Sequence, residues 1–142
     1  MKYDHFSEGQ IFITDSVIVD KDELIHFANN YDPQYFHTSE EAAKESIFGQ
    51  IIAPGAFTLS LLWKEWVQLN ILGRDCIAGI GIDHLRFHNP VYPNDILHSE
   101  VTVHKCIPVE DPTKGIIHLQ FVGKNQSEKN VLSCIFKLLI KR

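Results

Sequence analysis

A carboxylate and an imidazole stand five positions apart in the segment Asp32-Pro33-Gln34-Tyr35-Phe36-His37. A carboxylate accepts a proton, and histidine both donates and accepts near neutral pH, so together they can hold and activate a water molecule. Pro33 disfavours helical dihedral angles at Asp32. We therefore expect Asp32 at the end of a helix, with His37 a few ångströms on in irregular backbone.

The elements around this pair are predicted from hydrophobic periodicity and capping residues. Residues 10–19 are predicted to form an early, irregular strand. Asp20 is a suitable N-cap for a helix over Lys21–Tyr31, with an acidic residue three positions later as in a capping box. The segment 38–44 begins with two hydroxyl residues that can cap a short helix. The candidate acid–base pair thus lies between two predicted helices.

The most apolar segment is predicted to be a helix from Pro54-Gly55 to about Leu72, ended by Gly73. Apolar side chains cover most of its circumference, and polar residues are a minority. A helix of that kind in a soluble protein is typically buried.

From Ile77 onward the hydrophobic period changes to two. Strands are predicted at 78–87, with a bulge near Asp83-His84, and then at 96–107, 116–124 and 132–140. Helices followed by long antiparallel strands indicate an α+β fold, in which a curved sheet wraps around the central apolar helix. The whole chain, residues 1–142, is predicted to be a single domain.

Composition argues against several classes of function. The net charge of -5, with no basic cluster, argues against nucleic-acid binding. No apolar run approaches the ~18 residues of a membrane span, and the first residues lack the apolar core of a signal peptide. The three cysteines (Cys76, Cys106 and Cys134) are odd in number and widely spaced. They are interpreted as packed thiols of a cytoplasmic protein.

No metal and no cofactor are expected. His84 and His88 can share one face of a strand, but no carboxylate or cysteine cluster joins them. Gly79 and Gly81 form a Gly-x-Gly with no following helix, unlike a dinucleotide-binding loop. No Gly-x-Ser-x-Gly sequence or Cys–His pairing suggests a covalent nucleophile.

The order of these motifs resembles the MaoC-like dehydratases, which include (R)-specific enoyl-CoA hydratases and have the hotdog fold. A short helix, an Asp-x-x-x-x-His loop and a helix starting at Pro-Gly precede a meander with a Pro-x-x-Pro-x-Asp turn. The likeness runs from about residue 10 to 140. Its most specific parts are 27–37, Phe48-Gly49, Pro54-Gly55 and 89–95.

The hydratase signature of that family is Asp-x-Asn-Pro-x-His. Asp32 and His37 match its catalytic pair by spacing, whereas Gln34 stands where the signature has Asn and Tyr35 where it has Pro. Pro33 lies one place earlier than the proline of the signature. The acid–base pair is intact, and the departures leave the substrate open.

The resemblance implies roles for three further residues. The backbone N–H of Gly55 would form the oxyanion hole, Ser60 would help to orient the catalytic loop, and Phe57 would line or back an acyl tunnel. It also implies a homodimer with two sheets joined edge to edge, and a thioester substrate carried by CoA or acyl carrier protein.

Three functions remain open at this point. The first is a hydro-lyase acting at the 2,3-position of an acyl thioester. The second is a thioesterase of the same architecture, and the third is a non-catalytic acyl-thioester-binding module. Each residue also has a structural alternative: Asp32 as a turn residue, His37 as a cap or loop hydrogen-bonding partner, Gly55 as a plain helix start, and Ser60 as a hydroxyl bonded to its own helix.

Overall fold

The computed structural model describes residues 1–142, which form one antiparallel sheet and four α-helices. The helices are α1 (Lys21–Tyr31), α2 (Tyr35–Thr38), α3 (Glu40–Ala43) and α4 (Gly55–Gln68). The strands are β1 (Ile11–Ile13), β2 (Val17–Ile18), β3 (Cys76–Phe87), β4 (Ile96–Pro108), β5 (Lys114–Lys124) and β6 (Asn130–Lys141). Their order across the sheet is β1-β4-β5-β6-β3, and β2 pairs separately with β4. The predicted α+β class with a long helix and an antiparallel sheet is confirmed.

The core lies between α4 and the sheet. Aromatic rings form much of this contact: Trp66 packs edge-on against Phe121 with ring centroids 5.9 Å apart, and Trp63 lies 4.5 Å from Phe136. Trp66 is only 1% exposed, and the β5 and β6 side chains beneath it are buried in alternation. Burial of these large rings anchors α4 to the sheet, since aromatic residues bury the largest apolar areas.

The prediction for α4 was wrong in length and in burial. The helix ends at Gln68 rather than near Leu72, because Asn70 adopts a left-handed conformation (φ 55°) that asparagine tolerates. One face is also exposed in the single chain. It carries Ala56, Ser60, Lys64 and Val67, and Val67 is 53% exposed. No helix of the protein combines the length and apolar character that crossing a bilayer requires.

The strand predictions hold with local differences. The early strand is divided into β1 and β2, both paired with β4, and Thr14 between them exchanges hydrogen bonds with Ser99. The predicted bulge in β3 is confirmed: the register with β6 shifts between Asp83 and Arg86, where His84 has a φ of 53°. Such a bulge bends the strand and re-aims its end.

Candidate active site

The end of α1 positions the carboxylate. The N–H of Asp32 still donates to the carbonyl of Ala28 at 2.8 Å, but its backbone is no longer helical (φ −154°, ψ 72°). Pro33 explains this stop, as predicted. The chain restarts at once as α2, so that His37 lies in a one-turn helix and not in irregular backbone, which corrects the expectation.

The ring of His37 is buried and its tautomer is set by its neighbours. Its Nδ1 lies 2.7 Å from the carbonyl oxygen of Ile52. Since a carbonyl only accepts, Nδ1 carries the hydrogen and donates it, and the lone pair of the neutral ring lies on Nε2. Nε2 is 3.4 Å from Oδ2 of Asp32. The structure thus brings the predicted acid–base pair together.

The carboxylate of Asp32 has two different surroundings. Its Oδ1 accepts a hydrogen bond from Nε2 of Gln34 at 2.9 Å, while Oδ2 faces His37. The side chain of Asp32 is 32% exposed against 6% for that of His37. Gln34, which departs from the hydratase signature, therefore fixes the orientation of the carboxylate so that one oxygen stays available.

The segment before α4 is held from two sides. The Ile52 N–H donates to the carbonyl of Phe36 at 3.1 Å, and the Ala53 N–H donates to Val91 at 2.8 Å. These bonds fix the first turn of α4 next to His37. The N–H of Gly55, at the start of that helix, has no acceptor within the chain. Such amides and the helix dipole favour negative charge.

Gly55 packs directly against the ring of Phe87. A Cβ built there would lie 2.4 Å from the ring of Phe87, well inside ordinary carbon contact. The aromatic ring thus occupies the volume that a side chain at this position would need. Glycine leaves the amide approachable from the cavity.

A cavity of about 310 Å³ opens beside the pair. His37 and Gly55 both line it, and the remaining lining residues are mostly apolar: Phe48, Ile52, Ala53, Thr58, Phe87, His88, Asn89, Pro90, Val91 and Val131. Asp32 does not line the cavity. Its contact with the site is the 3.4 Å approach of its Oδ2 to Nε2 of His37. An apolar pocket with a few convergent polar groups is typical of a ligand site.

Two sequence-predicted residues are not brought to this cavity. Phe57 is 3% exposed and packs edge-on against Phe27 in the core. Ser60 is exposed and donates its hydroxyl to the carbonyl of Ala56 at 2.9 Å. Both side chains leave α4 on another side from Gly55, so neither the tunnel role of Phe57 nor the loop-orienting role of Ser60 is carried further.

Sequence analysis gave no role in this site to three polar residues that line the cavity, Thr58, His88 and Asn89. Thr58 is buried one helical turn after Gly55, and His88 follows β3, with its Nε2 2.7 Å from Oγ of Ser133. The signal for Thr58 was available, because residues three apart share a helix face. No comparable signal exists for His88, whose position depends on the bulge in β3.

The cysteines offer no nucleophile to this site. All three are unpaired, and none lines the cavity. Burial raises the pKa of the Cys134 thiol to about 12, and burial also raises the pKa values of Cys76 and Cys106. The thiolate is the reactive form of cysteine, so these groups are unreactive near neutral pH.

A family model described as a MaoC like domain matches residues 7–124. The chain therefore belongs to the MaoC-like dehydratase family.

Two relatives resemble the chain over its whole length. The uncharacterized protein YdeM of Bacillus subtilis strain 168 is 40% identical over 142 residues, covering 100% of each chain. A solved structure of a MaoC-like dehydratase from Rhodospirillum rubrum is 31% identical, with a TM-score of 0.91 over 100% of this chain and 97% of the other. The R-hydratase PhaJ1 of Pseudomonas aeruginosa has a TM-score of 0.76 at 22% identity, over 98% and 84% of the chains, a likeness of fold alone.

Proposed function

We propose that the protein is a hydro-lyase that adds water to, or removes it from, the 2,3-bond of an acyl thioester. The reaction is that of an (R)-specific enoyl-CoA hydratase or 3-hydroxyacyl-CoA dehydratase. The observation that carries this proposal is the 3.4 Å approach of Asp32 Oδ2 to His37 Nε2 beside an apolar cavity that also exposes the Gly55 amide. Membership of the dehydratase family supports it.

The pair suits a water molecule as its partner. With the hydrogen of His37 on Nδ1, Nε2 of His37 and Oδ2 of Asp32 are both acceptors, and two acceptors 3.4 Å apart repel unless a proton donor beside them bridges both. One water can donate a hydrogen to each. Its oxygen is then aimed by two fixed groups, which is how positioned acid–base residues gain typically ~10²–10⁴-fold in rate.

The proposed chemistry balances without a cofactor. The water oxygen bonds to C3 of the enoyl group while the Asp32–His37 pair takes one of its protons. The electron pair of the 2,3-double bond moves toward the thioester, and its oxygen gains negative charge. The pair then returns a proton to C2, so that the sum is one added water. Dehydration is the reverse.

Gly55 is assigned to the developing oxyanion. Its N–H lies at the start of α4 with no acceptor in the chain, and donors aimed at a charge that grows in the transition state lower the barrier. Loss of one such donor in known enzymes costs roughly 10²–10³ in rate.

We also propose a homodimer formed through β3. This strand pairs only with β6, and its free edge carries three apolar side chains that are 41–50% exposed (Ile77, Ile80 and Ile82). A long unpaired apolar edge favours pairing with another strand. Light scattering should give twice the mass of the chain.

The cytoplasmic location and the choice between CoA and acyl carrier protein stay predictions.

The test is hydration of crotonyl-CoA, followed by loss of the enoyl absorbance, by the wild-type protein and the Asp32→Asn variant. The amide keeps the shape of the carboxylate but is a far weaker base, so we expect a rate at least ~10²-fold lower in a folded protein. Full activity of Asp32→Asn would remove Asp32 from the mechanism. Release of free thiol without hydration would identify a thioesterase, and binding with neither signal a non-catalytic module.

A further inference from the structure

The two hydroxyl side chains on α4 differ in their hydrogen bonding. The Ser60 hydroxyl is exposed and donates to the carbonyl four residues earlier. Thr58 is 2% exposed and lines the cavity, yet its hydroxyl has no hydrogen-bond partner in the chain, although its own N–H does bond to the carbonyl of Pro54. The fully buried side-chain polar atoms without a partner are Nε1 of Trp66 and Oγ of Ser99, so the unpartnered Thr58 oxygen is not sealed in the core but keeps access to the cavity that its residue lines.

The other polar side chains of the cavity wall each make a hydrogen bond within the chain. Nδ1 of His37 donates to Ile52, Nε2 of His88 contacts Ser133, and Nδ2 of Asn89 donates to the carbonyl of Asn130 at 2.6 Å. Nε2 of His37 is an acceptor in the tautomer set by Ile52. Thr58 carries the one hydroxyl of the cavity wall, and that hydroxyl makes no hydrogen bond within the chain.

Helix geometry directs this hydroxyl toward Gly55. Residues three apart lie on one face of a helix, and side chains lean toward the N-terminus, so that each covers the turn before it. The turn before Thr58 begins at Gly55, which has no side chain to block the approach. Both residues line the same cavity.

We infer that the Thr58 hydroxyl donates a second hydrogen bond to the thioester carbonyl oxygen, beside the bond from the Gly55 N–H. This inference rests on the proposed binding of an acyl thioester in the cavity. The oxygen gains charge as water adds at C3, and hydrogen bonds to charged acceptors are stronger than bonds to neutral ones. Thr58 thus stabilises the transition state more than the bound substrate.

The first test compares Thr58→Val, Thr58→Ser and the control Thr102→Val in crotonyl-CoA hydration. Valine keeps the branched shape and removes the hydroxyl, whereas serine keeps the hydroxyl. Thr102 lies half-buried on β4 and does not line the cavity. We expect kcat of Thr58→Val to fall about 10- to 100-fold with little change in KM, and Thr58→Ser to recover most of it. Equal losses of kcat in Thr58→Val and Thr58→Ser, or no loss in Thr58→Val, overturn the inference.

The second test does not depend on turnover. Infrared difference spectra of butyryl-CoA labelled with ¹³C at the thioester carbonyl report hydrogen bonds to that oxygen, which lower its stretching frequency. We expect a band below the free-solution value in wild type and Thr58→Ser, and a smaller shift in Thr58→Val. An identical band in wild type and Thr58→Val overturns the inference. A Thr58-dependent shift in a protein that hydrates no enoyl thioester would refute the lyase proposal and leave this one standing.

Discussion

Replacing Gly55 by alanine separates the proposed catalytic role of its amide from its packing against Phe87. The added Cβ would lie 2.4, 2.6 and 2.8 Å from three carbons of the Phe87 ring. Ordinary carbon contacts lie at about 3.5–4.0 Å, so the ring must retreat by roughly 1 Å or more. The three atoms are the far end of a side chain that is 56% exposed, so the ring can swing outward without a backbone shift.

The energies of this change partly offset each other. Overpacking typically costs ~1–3 kcal/mol, whereas the gain of ~0.5–1 kcal/mol from alanine in the middle of a helix applies only in part, because Gly55 is the first residue of α4. The free energy of unfolding should therefore fall by about 0–3 kcal/mol. At ~2–4 °C per kcal/mol for a chain of this size, the melting temperature drops by less than about 12 °C.

Activity should respond far more than stability. The methyl group and the displaced Phe87 ring would crowd the approach to the Gly55 amide, which we propose binds the thioester oxygen, so we expect hydration of crotonyl-CoA to fall by ~10²-fold or more. Circular dichroism melting and the absorbance assay measure the two effects on one sample. A folded Gly55→Ala variant with wild-type activity would refute the oxyanion role.

The control for the packing argument is the Phe87→Ala background. There the added methyl group meets no ring, so Gly55→Ala should cost no stability in that background. A cost equal to that in the wild-type background would mean that Phe87 is not the group with which the methyl collides. Such a double-mutant cycle isolates the coupling of two neighbouring residues.

Two further predictions follow from the polar contacts. Gln34→Ala should lower kcat about 3- to 10-fold, because the exposed 2.9 Å hydrogen bond to Asp32 Oδ1 is lost. Gln34→Glu should lower kcat more, because the two carboxylates then repel. Equal rates of Gln34→Glu and wild type in the absorbance assay would exclude the positioning role of Gln34. Burial, followed by the charge of Lys137, lowers the pKa of His118 below 6.5 in the folded protein. Between this folded-state pKa and the higher pKa of the unfolded chain, the unfolded chain binds more protons, so the free energy of unfolding rises with pH across that window. Urea unfolding of His118→Gln at pH 5 and pH 7 should show a smaller rise than wild type, and an unchanged rise would contradict the assignment.

Local sequence signals predicted the elements that carry the acid–base pair. The capping carboxylate of Asp20 accepts from the N–H of Glu23 at 2.9 Å, and α1 begins and ends where the cap and the proline required. What could not be predicted was the single turn of α2, since a four-residue helix has almost no periodicity. Its stability comes from tertiary contacts, above all the bonds of Phe36 and His37 to Ile52.

The length and exposure of α4 were mispredicted for a related reason. Apolar residues continue to Leu72, but periodicity does not report the left-handed backbone at Asn70 that ends the helix. Exposure of Val67 likewise depends on what lies opposite that face, which is tertiary information. Helix propensity and hydrophobic periodicity predict poorly where tertiary contacts decide the conformation.

The α4 residues that line the cavity differ from the predicted ones because of their angular positions around the helix. Each helical residue turns by about 100°, so Thr58 lies roughly 60° from Gly55 around α4, whereas Phe57 and Ser60 lie about 160° and 140° away. Only the first can face the same cavity as the Gly55 amide, and this agrees with the residues that line it. The resemblance to the family identified the start of α4 at Gly55. The helical period of about 3.6 residues then decides which later side chain faces the same cavity. Thr58 is therefore the residue after Gly55 on α4 whose side chain shares the cavity with the Gly55 amide.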